Sequence, residues 1–400
     1  MTMHPFGFAL SGVSEEETRD VELVHLLLSA AEKVGEKQYD HASRLLLRCK
    51  WISCTRGNPV QRVVFHFAEA LQERIDKESG RVSMKEFKRY DDFSLQMCTN
   101  LTFVTSYQKL PFCQIVVFTG IEAIVENVAL EPKVHLIDIG IRCGVHWTVL
   151  MKVLAERQDC PIELLKISAI EFTGSQHGEL EETRKRLVSV AESLNLPSLF
   201  KLVSLSDSKD IQEELFETED DEAVVIYAPY ILRTMISRPD FLDNLMRVIR
   251  SLCPDIMVVT ETEANHNSPS FLNRFIEALF YHSAYYDCLE TCMSQDGEDR
   301  MAMETIFSEG IRNIVAVEGR ERTSQSVKMD VWRAFFARFK MVEIGFSESS
   351  LYQASLLLKQ VACWSSCTLD KNGKCLIVGW KGTPIHSVSV WKFLSHSEWV

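Results

Sequence analysis

The stretch Val134–Trp147, VHLIDIGIRCGVHW, holds residue types at a spacing that could do chemistry. An apolar run, Val134 to Ile139, carries Asp138 near its end. Gly140 follows, Gly144 comes shortly after, and Trp147 to Leu154 opens a helical pattern. A buried strand that ends in Asp-x-Gly and turns into a helix is how nucleotide-binding α/β folds begin. Glycine lets the backbone turn tightly and approach a ligand. The helix N-terminus offers unpaired N–H groups, and the acid can hold a hydroxyl or an amine. Asp138, Gly140 and Gly144, with Glu171 at the end of the next β-rich run, form a candidate pocket for a cofactor or small molecule. Arg142 and Cys143 stand where a complete glycine loop would have glycines, and their side chains would crowd a nucleotide. The competing reading is a structural strand-to-helix turn with Asp138 bonding nearby N–H groups. It is favoured, because short glycine motifs match often by chance.

Other residues that could do chemistry are weaker. The loop Glu261 to Asn267 offers two carboxylates and His266 for acid–base work. The structural alternative is that Asn267 or Ser268 caps a helix starting at Pro269. Phe280, Tyr281, Tyr285 and Tyr286 could line a cage, but aromatics so spaced are more often core or interface. Cys288 with Cys292, and Cys363 with Cys367, have zinc-like spacings, yet the pairs lie too far apart for a compact site. His135 sits inside a strand and His146 stands alone, so no metal is expected. No G-x-S-x-G nucleophile motif occurs. Trp332-Arg333, Trp380-Lys381 and Trp391-Lys392 interleave aromatic and basic residues, which can contact nucleic acid. Tryptophans covering a sheet edge beside wet lysines explain them better.

The elements that must position these residues follow from composition and periodicity. The chain has 400 residues, 46% hydrophobic and 25% charged, with 11 prolines and 17 glycines. These are ordinary values for a globular protein with a large core. A formal net charge of −13 disfavours nonspecific nucleic-acid binding. Twelve cysteines without a secretory leader read as reduced thiols of the nucleus or cytosol. No apolar run reaches roughly 18 residues, so no membrane helix is expected. Arg184-Lys185-Arg186 could serve nuclear import and reads better as a solvated helix face.

Residues 1–20 read as a short lead-in. Helical patterns then dominate to about residue 130: Leu23, Leu26, Leu27, Ala30 and Val34; Ala42, Leu45, Leu46, Cys49 and Ile52; and Val63 to Ile75 behind Asn58-Pro59. These form a helical cap over about 21–110. Leu23-Val24-His25-Leu26-Leu27 also fits the Leu-x-x-Leu-Leu pattern of helices that dock in partner grooves, although such a stripe is usually core. Residues 76–93 read as a surface link, and Pro111 to Ala129 as an apolar helix. Over about 111–393 short β-rich runs alternate with helices. The runs are Val134–Ile139, Leu164–Phe172, Phe200–Leu205, Ala223–Tyr227, Ile256–Thr260, Met341–Ile344 and Leu376–Gly379. Helical patterns lie at Leu180–Leu194, Phe241–Leu252, Phe271–Leu279 and Val331–Phe339, and the acidic residues 206–222 read as a helix with a loop. The alternation predicts an α/β fold with a mostly parallel, seven-stranded, Rossmann-like sheet.

Taken together, these residues resemble the GRAS family of plant transcriptional regulators. Leu23 to Ile75 resembles its first leucine-rich region. Val134, His135, Leu136, Ile137 and Asp138 resemble its VHIID core, with Gly144 and Trp147 in their usual places. Leu180 to Leu205 falls where the second leucine-rich region lies. Residues 263–290, then Arg300, Glu304 and 311–325, resemble the PFYRE region, and Trp332-Arg333, Gly379-Trp380-Lys381 and Ser389-Val390-Trp391 the closing SAW region. The chain departs locally: glutamine is usual where Cys143 and His146 stand, and alanine where Val390 stands. The resemblance spans about residues 21–393 as one GRAS domain. It implies a Rossmann-like, methyltransferase-type core that is degenerate rather than catalytic, with an N-terminal α-helical cap and no resident cofactor. It also implies nuclear action, with cytoplasmic presence allowed, dimerisation with other GRAS proteins, docking on DNA-bound zinc-finger factors, and in some members direct DNA contact. With some 20 residues ahead of the domain, the N-terminal DELLA segment of one subgroup is expected to be absent. Leu23, Leu26 and Leu27 are the expected interaction residues.

Overall fold

The computed structural model describes residues 12, 14–81, 100–172, 177–205, 210–294 and 297–394. The chain divides into two compact units. One combines the residues ahead of 92 with His266–Arg322, and the other combines Asp92–Asn265 with Thr323–Val400. The cap expected from the sequence is therefore discontinuous. It takes in 266–322, which periodicity alone assigned to the α/β part, while residues 100–110 fall on the α/β side.

The helical unit contains α1 (Glu15–Gly35), α2 (Tyr39–Ile52), α3 (Pro59–Glu78) and, from the second segment, α9 (Phe271–Cys292) and α10 (Glu298–Val315). Local chemistry sets the starts. Ser14 and Glu17 form a reciprocal capping box ahead of α1, and Asn58 caps α3 with Pro59 in its first turn. The cap of α9 is Ser270, whose hydroxyl accepts from the Asn273 N–H, and not Asn267 or Ser268. Leu23, Leu27, Leu46, Phe67, Phe275 and Ile311 meet in one buried cluster. Helices from both segments must pack together because each leaves an apolar stripe that none could bury alone.

The α/β unit starts with α4 (Asn100–Lys109) and α5 (Pro111–Asn127). Strands β1 (Lys133–Asp138), β2 (Leu164–Phe172), β3 (Ser198–Leu205), β4 (Ala223–Pro229) and β5 (Ile256–Thr262) alternate with α6 (Val145–Ala155), α7 (His177–Ser193) and α8 (Pro239–Ser251). Then come α11 (Met329–Ala337), β6 (Met341–Ile344), α12 (Glu348–Lys359), β7 (Cys367–Asn372), β8 (Cys375–Trp380) and β9 (Thr383–Phe393). The sheet runs β3-β2-β1-β4-β5-β9-β8-β7, with β6 beside β9. The first five are parallel and the rest join antiparallel. This is the Rossmann-like order, with its direction reversing between β1 and β4. Among the described residues it holds nine strands rather than the expected seven. β9 escapes an apolar-run search because Ser387 and Ser389 lie in its middle; both are buried, and their hydroxyls donate to the carbonyls of Glu261 and Val259. Of the acidic residues 206–222, the described part holds one short 3-10 turn, Glu213–Leu215, instead of a helix.

Candidate functional site: the carboxyl end of β1

Asp138 ends β1 in register with Ala169 of β2 and Tyr227 of β4, at the point where the sheet order reverses. Open α/β sheets bind ligands there. Gly140 follows with φ +119°, and Gly144, with φ +57°, caps α6. The Gly140 backbone is costly for any residue with a side chain, whereas the Gly144 angle is one that Lys37 and Asn195 also adopt.

What surrounds the turn is protein. Asp138 is fully buried, and its Oδ2 accepts a 2.8 Å hydrogen bond from the Trp147 indole N–H. His146 Nε2 lies 4.0 Å from the same oxygen. Trp147 stacks edge-on against Tyr227 with centroids 4.8 Å apart, and the His146 ring lies 4.3 Å from that of Trp147. Burial pushes the Asp138 carboxyl up to about 7 against the opposing pull of the indole N–H, and burial holds His146 down to about 3. Burial thus disfavours the charged form of both groups, and the pair is not a firm ion pair.

A nucleotide would need the space against the two glycines. A Cβ on Gly140 would sit 3.2 Å from Ile231 Cγ1, and one on Gly144 would sit 2.9 Å from Leu187 Cδ1 and 3.3 Å from Thr183 Cγ2. The chain's own side chains thus fill the place of a bound phosphate or sugar. The loop is also tied down. Thr183 donates to the Arg142 carbonyl at 3.2 Å, and Arg186 donates to the Cys143 carbonyl. Cys143 is buried, and Arg184 pairs with Glu181, so two of the three residues in the basic run hold structure. Glu171, at the end of β2, is buried and accepts from Ser204 Oγ at 2.9 Å. The side chains packed against Gly140 and Gly144 do not fit an adenosyl cofactor there.

The remaining motif residues also hold structure. His135 is buried between Ser168 Oγ (2.8 Å) and Glu222 (3.1 Å), while Val134, Leu136 and Ile137 are core. Arg300 and Glu304 sit in a largely buried charge network on α10. Glu304 Oε1 lies 3.0 Å from Arg62 Nε and 3.6 Å from Arg300 Nε, and Glu290 accepts from both arginines at 2.9 and 2.8 Å. This joins α3, α9 and α10. Trp332, Trp380 and Trp391 are buried, with Phe336 stacked on Trp332 and 4.7 Å from Trp391. Leu23 and Leu27, expected to dock a partner, are buried in the helical core, and Leu26 packs against it. That correction has a simple cause: the docking pattern is also the spacing of a core stripe.

Sequence reasoning missed two things. One is Arg233, the partner of Glu261 and Thr262 at the ends of β4 and β5. Glu261 is buried, accepts from the Arg233 N–H at 3.2 Å, and is pushed up to about 7 by burial, while Arg233 also donates to Thr262. Glu263 turns instead to the Met329 N–H, and His266 lies against the rings of Tyr281 and His282. The second is the outer face of α2, where Ile52, expected in the buried stripe, is exposed. Cys288 and Cys292 lie one helical turn apart on α9, and among the described residues no three metal-ligating side chains converge. Among those residues no helix is long and apolar enough to cross a membrane.

Comparison with known proteins gives the family. DELLA protein RGL1 of Arabidopsis thaliana is 30% identical over 383 residues, covering 95% of this chain and 71% of the relative. DELLA protein GAI1 of Vitis vinifera is 28% identical over 385 residues, with 95% and 63% covered. The chain thus spans roughly two thirds of the length of these relatives. The crystal structure of SCL7 from Oryza sativa superposes with a TM-score of 0.80 at 23% identity, covering 92% of this chain and 99% of that one, which establishes the fold. The model of the GRAS domain family matches residues 23–392, and this chain belongs to that family of plant transcriptional regulators.

Proposed function

We propose that this chain works in the nucleus as a transcriptional regulator through contacts with other proteins, and not through chemistry at its Rossmann-like core. The observation that carries this reading is the packing of Ile231, Leu187 and Thr183 against Gly140 and Gly144. A core whose ligand place is filled by its own side chains leaves the surface as the working part. Family membership supports the regulatory role. The partners proposed are a second GRAS protein, as homo- or heterodimer, and DNA-bound factors such as zinc-finger proteins. With a net charge of −13, the DNA-bound partner supplies most phosphate contacts, and any direct DNA contact is local.

The test is size-exclusion chromatography of the purified chain, alone and mixed with a second GRAS protein or a zinc-finger factor on its DNA duplex. A co-eluting complex is expected. A chain that stays monomeric with every such partner, and that binds S-adenosylmethionine in a calorimeter, would overturn the reading.

A further inference from the structure

Helix α2 carries two faces. Ala42, Leu46 and Cys49 are fully buried and join the helical core. On the opposite side Arg44, Leu47, Arg48 and Trp51 follow the i, i+3, i+4, i+7 spacing of one helical stripe, and all four are exposed. Trp51 is 89% exposed, Leu47 68% and Ile52 47%. A nearly naked tryptophan beside two aliphatic side chains is the composition of an interface centre, where tryptophan and arginine dominate binding energy.

The charge around this stripe selects the occupant. Arg44, Arg48 and Lys50 are exposed on α2 and make no ion pair with any described residue. The one acid on this helix is Asp40, in its first turn. On a chain of net charge −13, α2 thus carries three cations and one acid beside an exposed apolar stripe. A second copy of α2 would bring the same cations against it, and like charges at close range are costly. Nucleic acid would satisfy the cations but leave Leu47 and Ile52 without an apolar counterpart. An amphipathic helix with acidic flanks satisfies both, its apolar stripe covering Leu47, Trp51 and Ile52 and its carboxylates meeting the arginines.

We infer that the outer face of α2 is a docking surface for an acidic amphipathic helix of a partner protein. This inference rests on the reading that the chain acts through protein contacts, and it moves the contact from the buried Leu23 and Leu27 to Leu47 and Trp51.

The probe is a fluorescent peptide of about 18 residues, with leucine and phenylalanine at i, i+3, i+4 and i+7 and glutamate elsewhere, long enough to complete several helical turns on the surface. Its controls are a scrambled peptide of identical composition and a DNA duplex, all titrated with the full chain by anisotropy. The expected result is saturable binding of the amphipathic peptide alone, weakened about tenfold or more by Trp51→Ala, as for an interface hot spot. Added salt and Arg44→Glu/Arg48→Glu weaken it too. Equal binding of both peptides, or an affinity unchanged in Trp51→Ala, overturns the proposal, as does binding of the duplex without the peptide. If the peptide fails while a second GRAS protein or a zinc-finger factor still co-elutes, this face is wrong and the protein-contact reading stands. If neither binds, both fall.

Discussion

Asp138 at the end of β1 and Trp51 on α2 stand at opposite extremes, one 0% and the other 89% exposed. The first belongs to the most recognisable motif in the chain and has every look of a ligand-binding acid. The second belongs to no motif. Yet Asp138 is enclosed by Trp147, Tyr227 and His146 within the α/β unit, while Trp51 in the helical unit meets solvent. A motif can mark a turn that only certain residues pack, and a contact surface can be written in a few large side chains that fall off the core stripe. The difference separates what keeps this chain folded from what it presents to others.

The comparison breaks or sharpens through a graded set of variants. Glu304→Ala should act most strongly, because it leaves Arg62 and Arg300 buried with Glu290 alone to balance them. Removing one partner of a buried charge pair costs about 3–5 kcal/mol, and urea unfolding would read the loss. A cost below about 1 kcal/mol would mean the network is not a structural joint. Gly140→Ala comes next. It forces a side chain into φ +119° and against Ile231, at a cost of about 1–3 kcal/mol. Tolerance of alanine there would show that the turn can open, as a ligand site must.

Asp138→Asn separates charge from shape, since an amide oxygen can still accept the Trp147 N–H. The wild-type carboxyl is raised from 3.8 to about 7 in the folded chain. The folded state therefore holds its proton after the unfolded state has lost it. Its contribution to stability is fully present below about pH 4 and is lost as pH rises to about 7. Wild type should fall relative to Asp138→Asn across that window, by at least about 1 kcal/mol given that one pKa unit is about 1.4 kcal/mol. Glu261 titrates in the same range in both proteins and cancels in the difference. Parallel stability curves would show that Asp138 is not shielded. The smallest effect on stability belongs to Trp51→Ala, within about 0.5 kcal/mol as for an exposed substitution. A larger loss would mean that the indole packs on the fold and is no free surface.

Much of the scaffold was legible in the residues. The stripes of α1 to α3 sit at helical period and carry explicit caps at Ser14 and Asn58, so propensity and burial agree. Strands β1, β2, β4 and β5 are near-continuous apolar runs because both their faces are covered. The signal failed where burial is polar or long-range. β9 hides Ser387 and Ser389 inside the sheet, and α10 buries the charged side chains of Arg300 and Glu304. The assignment of 266–322 to the helical unit depends on contacts far apart in the chain, such as Arg62 with Glu290, that no local window sees. At the candidate site the sequence placed Asp138, Gly140 and Gly144 correctly on a strand-to-helix turn. It could not show Ile231 and Leu187 filling the space against the glycines, since both come from later segments. Trp51 did leave a signal: with Ala42, Leu46 and Cys49 inward, helical geometry turns residues 47, 48 and 51 outward.

The most direct test is transcription from a reporter to which the chain is tethered by a heterologous DNA-binding domain in plant cells, at matched protein levels. The measurement compares wild type with Asp138→Asn and with the pair Leu47→Ala/Trp51→Ala. The account predicts that Asp138→Asn retains the wild-type effect on the reporter and that the α2 pair loses it. Loss in Asp138→Asn with full retention in the α2 pair would contradict it and return the function to the end of β1.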